Sequence, residues 1–316
     1  MRDHGGNIDQ ARAAYGGADW IDLSTGINRV PYPLPALSPE AWTMLPTAEA
    51  KAGLIAAARA AFGTEAPGVA LAGAQAAIQL LPRLLGPGRA RVLGPTYNEH
   101  AASLRAGGWA VEEVDTLEGL AGADLAVVVN PNNPDGRTHA PAALRALAPR
   151  VGQLVVDESF ADPVPGLSLL ADPGEILVLR SFGKFWGLAG LRLGFAFGPA
   201  ARIAGLAEMA GPWPVSGAAI EIGRVALADT AWRAATIARL TAEAVRIDAL
   251  AARAGWRLVG GTALFRTYDT PDAAAAQDRL ARARIWSRIF PYSPRWIRLG
   301  LPGGGAEWQR LEEALV

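Results

Sequence analysis

The chain has no cysteine, an absence that removes disulfides, thiolate metal ligands and cysteine nucleophiles together. Histidine is nearly as scarce: His4, His100 and His139 stand far apart, so no metal site is expected. Charged residues make up 19% and balance to a formal net charge of zero. That leaves no electrostatic footprint for nucleic acid or an acidic membrane surface, and neither partner is expected. No apolar run reaches the roughly 18 to 20 residues of a membrane span. The polar start MRDHGGNIDQ lacks the apolar core of a secretion signal, so a cytoplasmic protein is the expectation. Three familiar signatures are missing too. Gly86-Pro87-Gly88 meets Arg91 where a dinucleotide fingerprint needs its third glycine. Val178 and Phe185 stand where a P-loop ending on Lys184 needs glycine and a hydroxyl residue, and no Gly-x-Ser-x-Gly elbow occurs. What remains is 51% hydrophobic over 316 residues, enough for a substantial core and commonly two units.

Lysine is the informative scarcity. Of thirty basic residues, twenty-eight are arginine and two are lysine, Lys51 and Lys184. A lysine that persists in so arginine-biased a chain is a candidate for a role that needs its amine. Lys51 lies in TAEAKAGLIAAARAAF, whose spacing predicts a helix with the lysine on its surface. Lys184 lies in SFGKFWGLAGLRLGF, among aromatics and glycines that suit a solvated lysine poorly.

Residues 1–46 are rich in glycine and proline and read as an irregular arm laid over another surface. Thr47 then caps a predicted helix that runs to Phe62 and stops at Gly63. Beyond it, short apolar runs (GVALAG, RVLG, DLAVVVN, QLVVD, EILVLR) alternate with helical patterns. Strands without polar alternation belong to a sheet covered on both faces, so the predicted fold class is α/β with a mixed, mostly parallel sheet. Pro82 inside AQAAIQLLPRL predicts a kink. After about residue 199 the pattern turns helical, with a long amphipathic stretch from Asp229 to Ala254. WRLVGG, ALFRTY, a helix over 272–284, WIRLGL and a last helix from about Ala306 then describe a smaller α+β unit. The expected division is an arm over 1–46, a large domain over 47–205 and a small domain over 206–316.

Ligands of open α/β sheets bind beyond the carboxyl ends of the strands, and four chemically distinct features fall there. Gly73-Ala74-Gln75 turns a strand into a helix and offers backbone N–H groups to a phosphate. Asn133 sits in the turn-forming NPNNPDG loop, QLVVD ends on Asp157, and EILVLR leads into Ser181-Phe182-Gly183-Lys184. Singly, each has a plain structural reading: Asp157 as a helix cap, Asn133 as turn chemistry, Gly73 as a tight turn. Together they match what pyridoxal 5'-phosphate demands: an amine for its aldehyde, an acid for its ring nitrogen, a donor for its ring oxygen and a phosphate cradle.

These residues resemble fold-type I pyridoxal-phosphate enzymes of the class I/II aminotransferase family. The strongest match is Ser181-x-x-Lys184 with Arg192 eight residues further on. The resemblance implies that Lys184 forms the imine with the cofactor. Ser181 and Arg192 would share the cofactor phosphate with Gly73, Ala74 and Gln75, and Asn133 would bond the ring hydroxyl. It likewise implies Asp157 at the ring nitrogen, Tyr97 stacked on the ring, His100 supporting the aspartate and Arg298 on a substrate carboxylate. HGGNIDQA, LSTGINRVPYP and PGVALAGAQAAIQLLPRL are similar to the threonine-phosphate decarboxylase branch of cobalamin biosynthesis, with histidinol-phosphate aminotransferases as the nearest alternative. That branch implies a cytoplasmic homodimer that decarboxylates a small phosphorylated amino acid, L-threonine O-3-phosphate, to (R)-1-amino-2-propanol O-2-phosphate. It also implies that His4, with Asn28 and Arg29, meets the substrate. Two positions depart from the wider family. Phe160 replaces a tyrosine that bonds the ring oxygen, and Leu45-Pro46 replaces a Tyr-Pro pair that reaches a neighbouring subunit's cofactor. A noncatalytic cofactor-binding sensor is a third reading, opposed by the intact lysine and the lack of a basic appendage.

Overall fold

The computed structural model describes residues 4–315, which divide into two contact units. Residues 4–31, Pro134–Arg137 and residues 234–315 form one, and Tyr32–Asn133 with Thr138–Arg233 form the other. The first stretch is not the irregular arm expected of it. Helix α1 (Ile8–Tyr15) is capped by Asn7, whose side chain accepts from Gln10 N at 3.2 Å, and it buries Ala11 completely. Strand β1 (Ile21–Asp22) and helix α2 (Glu40–Thr43) add further regular structure before residue 46.

Helix α3 (Ala48–Phe62) has the predicted ends: Thr47 Oγ1 accepts from Ala50 N at 3.1 Å, and Gly63 turns left-handed at φ 65°. There follow β2 (Gly68–Leu71), α4 (Ala74–Leu84), β3 (Arg89–Leu93), α5 (Glu99–Ala106), β4 (Ala110–Val114) and β5 (Leu125–Val129). Next come α6 (Pro141–Leu147), β6 (Leu154–Asp157), β7 (Leu177–Ser181), the one-turn α7 (Phe182–Phe185) and β8 (Gly194–Phe197). The seven strands form one sheet in the order β2-β8-β7-β6-β5-β3-β4. β8 runs antiparallel to both neighbours, and the other pairs are parallel, so the sheet is mixed and mostly parallel as expected. β5 and β6 are buried at every residue, which explains their unbroken apolar runs. Pro82 lies two residues before the end of α4, and Ser103 Oγ donates at 2.9 Å to Ile78 O, the carbonyl deprived of its helical donor.

Helices α8 (Ala200–Ala210) and α9 (Gly217–Ala228) complete this unit, and α10 (Thr230–Arg253) carries the chain onward. Residues 206–233 therefore group with the sheet and not with the small C-terminal unit. α9 packs on α3, where Gly223 leaves room for Leu54 and Leu193, and Tyr32 Oη donates to Asp229 at 3.1 Å.

The other unit is built on β9 (Arg257–Thr262), β10 (Phe265–Asp269), α11 (Ala273–Arg282), β11 (Ile285–Trp286), β12 (Arg288–Phe290), β13 (Ser293–Gly300) and α12 (Gly305–Leu315). Four strands form an antiparallel sheet in the order β12-β13-β10-β9. β11 pairs in parallel with β1, which ties residues 4–31 to this unit. The contact boundaries thus fall at Pro31 and Arg233, against the 46 and 205 read from composition. Among the described residues, no helix is long and apolar enough to cross a membrane, and no acidic, histidine or cysteine group could hold a metal ion.

Candidate active site

Strand β6 delivers Asp157 at its carboxyl end, 3% exposed. His100, on the first turn of α5, brings Nε2 to 2.9 Å from Asp157 Oδ2. Ser159 donates to Oδ1 from its backbone N at 2.9 Å and its hydroxyl at 2.5 Å. Burial pushes the Asp157 carboxyl up, but His100 and the Ser159 donors outweigh it and hold the group below its ordinary value. Asp157 is therefore a buried, ionised carboxylate with a structural apparatus devoted to keeping it so.

Lys184 sits on α7 immediately after β7, half-buried, with Nζ 5.7 Å from the centroid of Phe160, three residues beyond Asp157. The turn that carries it is clamped by aromatics: Phe182 and Trp186 stack at 4.6 Å, and Phe185 meets Trp186 edge-on at 5.1 Å. Gly183 is dictated by packing, because a Cβ there would lie 2.8 Å from Ala189 Cα.

A cradle lies at the start of α4. Gly73, at φ 80°, is its N-cap and leaves the first-turn N–H groups without a side-chain cap, at the positive end of the helix dipole. A Cβ on Gly73 would lie 2.7 Å from Arg192 Nη2, so that guanidinium rests against the turn. Arg192 itself is held in the left-handed region at φ 54°. On β8, Gly194 pairs in register with Ser181, and a Cβ on it would lie 2.6 Å from Gly73 C and closer still to Ala74 N. Gly194 is thus what lets Ser181, Arg192 and the Gly73-Ala74-Gln75 turn come together, a residue the sequence reading missed.

Tyr97 closes the circuit. Its hydroxyl donates to Gln75 Oε1 at 3.1 Å, and its ring meets His100 edge-on at 6.1 Å. Gln75 Nε2 in turn donates to Glu99 at 2.8 Å, and Glu99 is only 5% exposed. Asn133 is half-buried in a loop pinned by its neighbours. Asn132 accepts from Thr96 Oγ1 at 2.6 Å and donates to Pro95 O at 2.9 Å, while the Asn130 side chain and the His139 backbone exchange bonds of 2.9 and 3.0 Å. Asn130 N also donates to Asp157 O at 2.9 Å, so this loop starts beside the aspartate. The ten candidates Gly73, Ala74, Gln75, Tyr97, His100, Asn133, Asp157, Ser181, Lys184 and Arg192 all belong to the sheet unit. A continuous path of contacts runs from Ser181 through Gly194, the Gly73 turn, Gln75, Tyr97 and His100 to Asp157.

The remaining candidates lie in the other unit. Arg298, on β13, is 6% exposed; its Nη2 donates to Ser24 O at 2.5 Å and its guanidinium lies 5.2 Å from the Phe265 centroid. Burial, aided by the charge of Arg288, pushes its pKa down to about 10. Arg288 on β12 stands directly opposite Arg298 in the antiparallel register. Like charges facing each other across strands repel unless an anion joins them, so Arg288 enters the candidate set. His4 is exposed at the head of a segment packed on Ser24: Gly6 N donates to Ser24 Oγ at 2.7 Å, and a Cβ on Gly5 would run into Ser24 O. Two candidates are otherwise engaged. Arg29 Nε donates to Glu307 Oε2 at 2.8 Å in a two-pronged ion pair, and Asn28 Oδ1 accepts from Val30 N at 3.0 Å and Arg239 Nη2 at 2.8 Å. Glu307 lifts the Arg29 pKa further. These polar groups hold the unit together.

A family model for aminotransferase class I and II matches residues 46–311. The chain belongs to that family. Threonine-phosphate decarboxylase from Pseudomonas aeruginosa is 46% identical to it, with 100% of this chain and 98% of that one covered. Threonine-phosphate decarboxylase from a Sinorhizobium species is 44% identical, with 99% and 97% covered. Histidinol-phosphate aminotransferase from Sinorhizobium meliloti, solved in complex with pyridoxal-5'-phosphate, matches with a TM-score of 0.84 at 20% identity, covering 100% of this chain and 94% of that one. At that identity the likeness concerns the fold, and it makes this a fold-type I architecture.

The residues present fit a phosphorylated aldehyde of that kind. A helix N-terminus capped only by glycine, with an arginine laid against it, suits a phosphate dianion. A buried carboxylate held ionised suits a protonated ring nitrogen, and Lys184 provides an amine on the turn that follows the strand next to that carboxylate.

Proposed function

We propose that the protein is a pyridoxal-phosphate-dependent decarboxylase of L-threonine O-3-phosphate. The observation that carries this reading is 44–46% identity along nearly the whole chain to two threonine-phosphate decarboxylases. When bound, pyridoxal phosphate supplies an aldehyde for the substrate amine and a ring that takes up the electron pair left by the departing carboxylate. The phosphate would be held by Gly73, Ala74, Gln75, Ser181 and Arg192, the ring oxygen by Asn133 and the ring face by Tyr97. Asp157, kept ionised by His100 and Ser159, would hold the proton on the ring nitrogen. Lys184 would anchor the aldehyde through its amine and, as a free amine, would hold a proton for the substrate's α-carbon.

Substrate recognition falls to the other unit's anion-binding groups. Arg298 is assigned to the carboxylate and His4 to the phosphate. Arg288, paired across the strands with Arg298, widens the positive surface to suit a substrate with two anionic groups. Asn28 and Arg29 are assigned to positioning, because Arg239 and Glu307 already occupy their polar atoms. Which bond breaks depends on which one stands perpendicular to the conjugated plane, so gripping both anionic ends selects loss of carbon dioxide over loss of the α-proton.

A cytoplasmic homodimer completes the proposal. In the sheet unit, Leu34, Trp42, Met44, Leu45 and Trp213 are more than half exposed, and Gly217, at the start of α9, lies against Ala41. Four of these large apolar side chains lie within residues 34–45, a concentration that suits a subunit interface.

The deciding experiment is product analysis with L-threonine O-3-phosphate. The expected result is carbon dioxide and an aminopropanol phosphate, with no keto acid required for repeated turnover. Accumulated pyridoxamine phosphate without carbon dioxide would assign the chain to histidinol-phosphate-type aminotransferases instead, and binding without turnover would assign it to sensors.

A further inference from the structure

Three residues around the start of α5, Tyr97, Glu99 and His100, line one network, and the chemistry above uses two of them. His100 supports Asp157 and Tyr97 is assigned to the ring face, and Glu99 between them bonds two glutamines of α4. It is buried to 5% exposure, where a carboxylate needs fixed donors. Its Oε2 accepts from Gln75 Nε2 at 2.8 Å and from Gln79 Nε2 at 3.4 Å, both on α4. Gln75 Oε1 accepts from the Tyr97 hydroxyl at 3.1 Å.

The direction of this chain matters. The Gln75 amide turns its nitrogen toward Glu99 Oε2 and its oxygen toward the Tyr97 hydroxyl. A tyrosine facing that oxygen has to donate. Glu99 therefore sets the orientation of an amide, and the amide sets the position of a phenol. Gln75 also belongs to the first turn of α4, whose N–H groups form the phosphate cradle. The same side chain thus ties the wall against the ring to the cradle for the phosphate.

We propose that Glu99 and Gln75 are positioning residues that act through Tyr97, fixing the distance between ring wall and phosphate cradle before the cofactor arrives. The proposal rests on the cofactor assignment made above for Tyr97 and the Gly73 turn, and not on which reaction follows. Preorganisation of this kind appears in affinity, because the free protein no longer has to order these groups on binding. Glu99→Gln keeps an acceptor for Gln75, whereas Glu99→Ala removes it.

The test is equilibrium binding of pyridoxal phosphate to apoprotein, followed by its visible absorbance and circular dichroism, for Glu99→Ala, Glu99→Gln, Tyr97→Phe and the Glu99→Ala/Tyr97→Phe pair. Thermal melting of each apoprotein accompanies it, so that loss of fold is separated from loss of positioning. Glu99→Ala and Tyr97→Phe should each raise Kd about three- to tenfold, and Glu99→Gln should recover most of the loss. The double variant should bind no worse than the weaker single one, since both changes break one chain. Effects that multiply in the double variant, or a Glu99→Ala protein that binds as wild type, would overturn the proposal. If Glu99→Ala merely melts earlier in proportion to its loss of affinity, and Tyr97→Phe does neither, Glu99 is structural and the proposal fails. Wild-type apoprotein that takes up no pyridoxal phosphate would sink the cofactor assignment and this inference together, whereas absence of decarboxylation alone would leave this inference standing.

Discussion

Replacing Asp157 by asparagine removes one charge and keeps the shape of the side chain. The cost to the fold and the cost to the chemistry can be worked out separately. An asparagine carbonyl placed at Oδ1 retains both Ser159 donors, at 2.9 and 2.5 Å. Its NH2 then faces His100 Nε2 at 2.9 Å, and the imidazole adapts by moving its proton to Nδ1 and accepting. Charge-assisted bonds become neutral ones, which costs about 1–2 kcal/mol and a few degrees of Tm. The chemistry suffers more, because a neutral amide cannot keep a ring nitrogen protonated as charge builds. Removing one preorganised electrostatic partner of this kind costs about 3–4 kcal/mol, or 100- to 1000-fold in kcat. The assay is carbon dioxide release from threonine phosphate at neutral pH, beside cofactor content by absorbance. A variant that keeps its cofactor and more than a third of the wild-type rate would refute the role given to Asp157. The pH dependence has a definite sign. Because the folded state depresses the Asp157 pKa, the stability it contributes is present in full above the ordinary aspartate value near 4 and disappears only as pH falls through the lower folded value. In acid-unfolding curves, the advantage of wild type over Asp157→Asn should therefore persist above about pH 4 and fade only below it.

Borohydride reduction of the holoprotein should fix the cofactor to Lys184 and leave Lys51 unlabelled by mass spectrometry, since Lys51 Nζ is engaged with Pro212 O at 2.6 Å on a separate helix; label on Lys51 would undo the assignment. Gly194→Ala should lower Tm by several degrees and weaken cofactor binding at least tenfold, because its methyl meets backbone of the Gly73 turn that cannot swing away; a thermally unchanged variant would show that the turn is not packed as described. His4→Ala should raise KM for threonine phosphate far more than for threonine, and an equal effect on both substrates would remove His4 from the phosphate site. Arg298→Ala should cost more than tenfold in kcat/KM, whereas Arg29→Ala should chiefly lower Tm through loss of Glu307; the opposite pattern in paired melting and kinetic measurements would exchange their roles.

Local rules made the fold legible where they act alone. Thr47 and Gly63 bracket α3 because a hydroxyl cap and a left-handed glycine are determined within one turn of chain. The buried strands β5, β6 and β7 were readable because parallel strands covered on both faces leave no polar alternation. β8 was not, since GFAF is four residues long, begins with glycine and owes its place to the Ser181 register. The N-terminal segment misled composition for the same reason. Glycine and proline are dense there, but Asn7 caps a two-turn helix and β1 is defined by its partner β11, more than 260 residues away. No window of sequence contains both halves of such a pair.

The site divides along the same line. Lys184, Asp157, Asn133 and Ser181 could be singled out because an α/β sheet gathers strand ends, so polar residues there can be brought together by counting strands alone. Gly194 and Glu99 escaped because their roles depend on what lies across space: one is defined by the backbone of a turn more than a hundred residues earlier, the other by two glutamines on a neighbouring helix. Glu99 did carry a signal, an acidic residue between Tyr97 and His100 at the start of a helix whose next turn is apolar, but the helix dipole alone explains an acid at that position. Its burial is what separates the two explanations. A dipole contact is satisfied at the surface, whereas a carboxylate withdrawn from water needs fixed donors, and the donors found, Gln75 and Gln79, lead straight to the cradle and to Tyr97. Arg29 shows the converse. Chemistry made it a fair candidate for an anionic substrate, and only the position of Glu307, 278 residues later, reveals that its anion is internal.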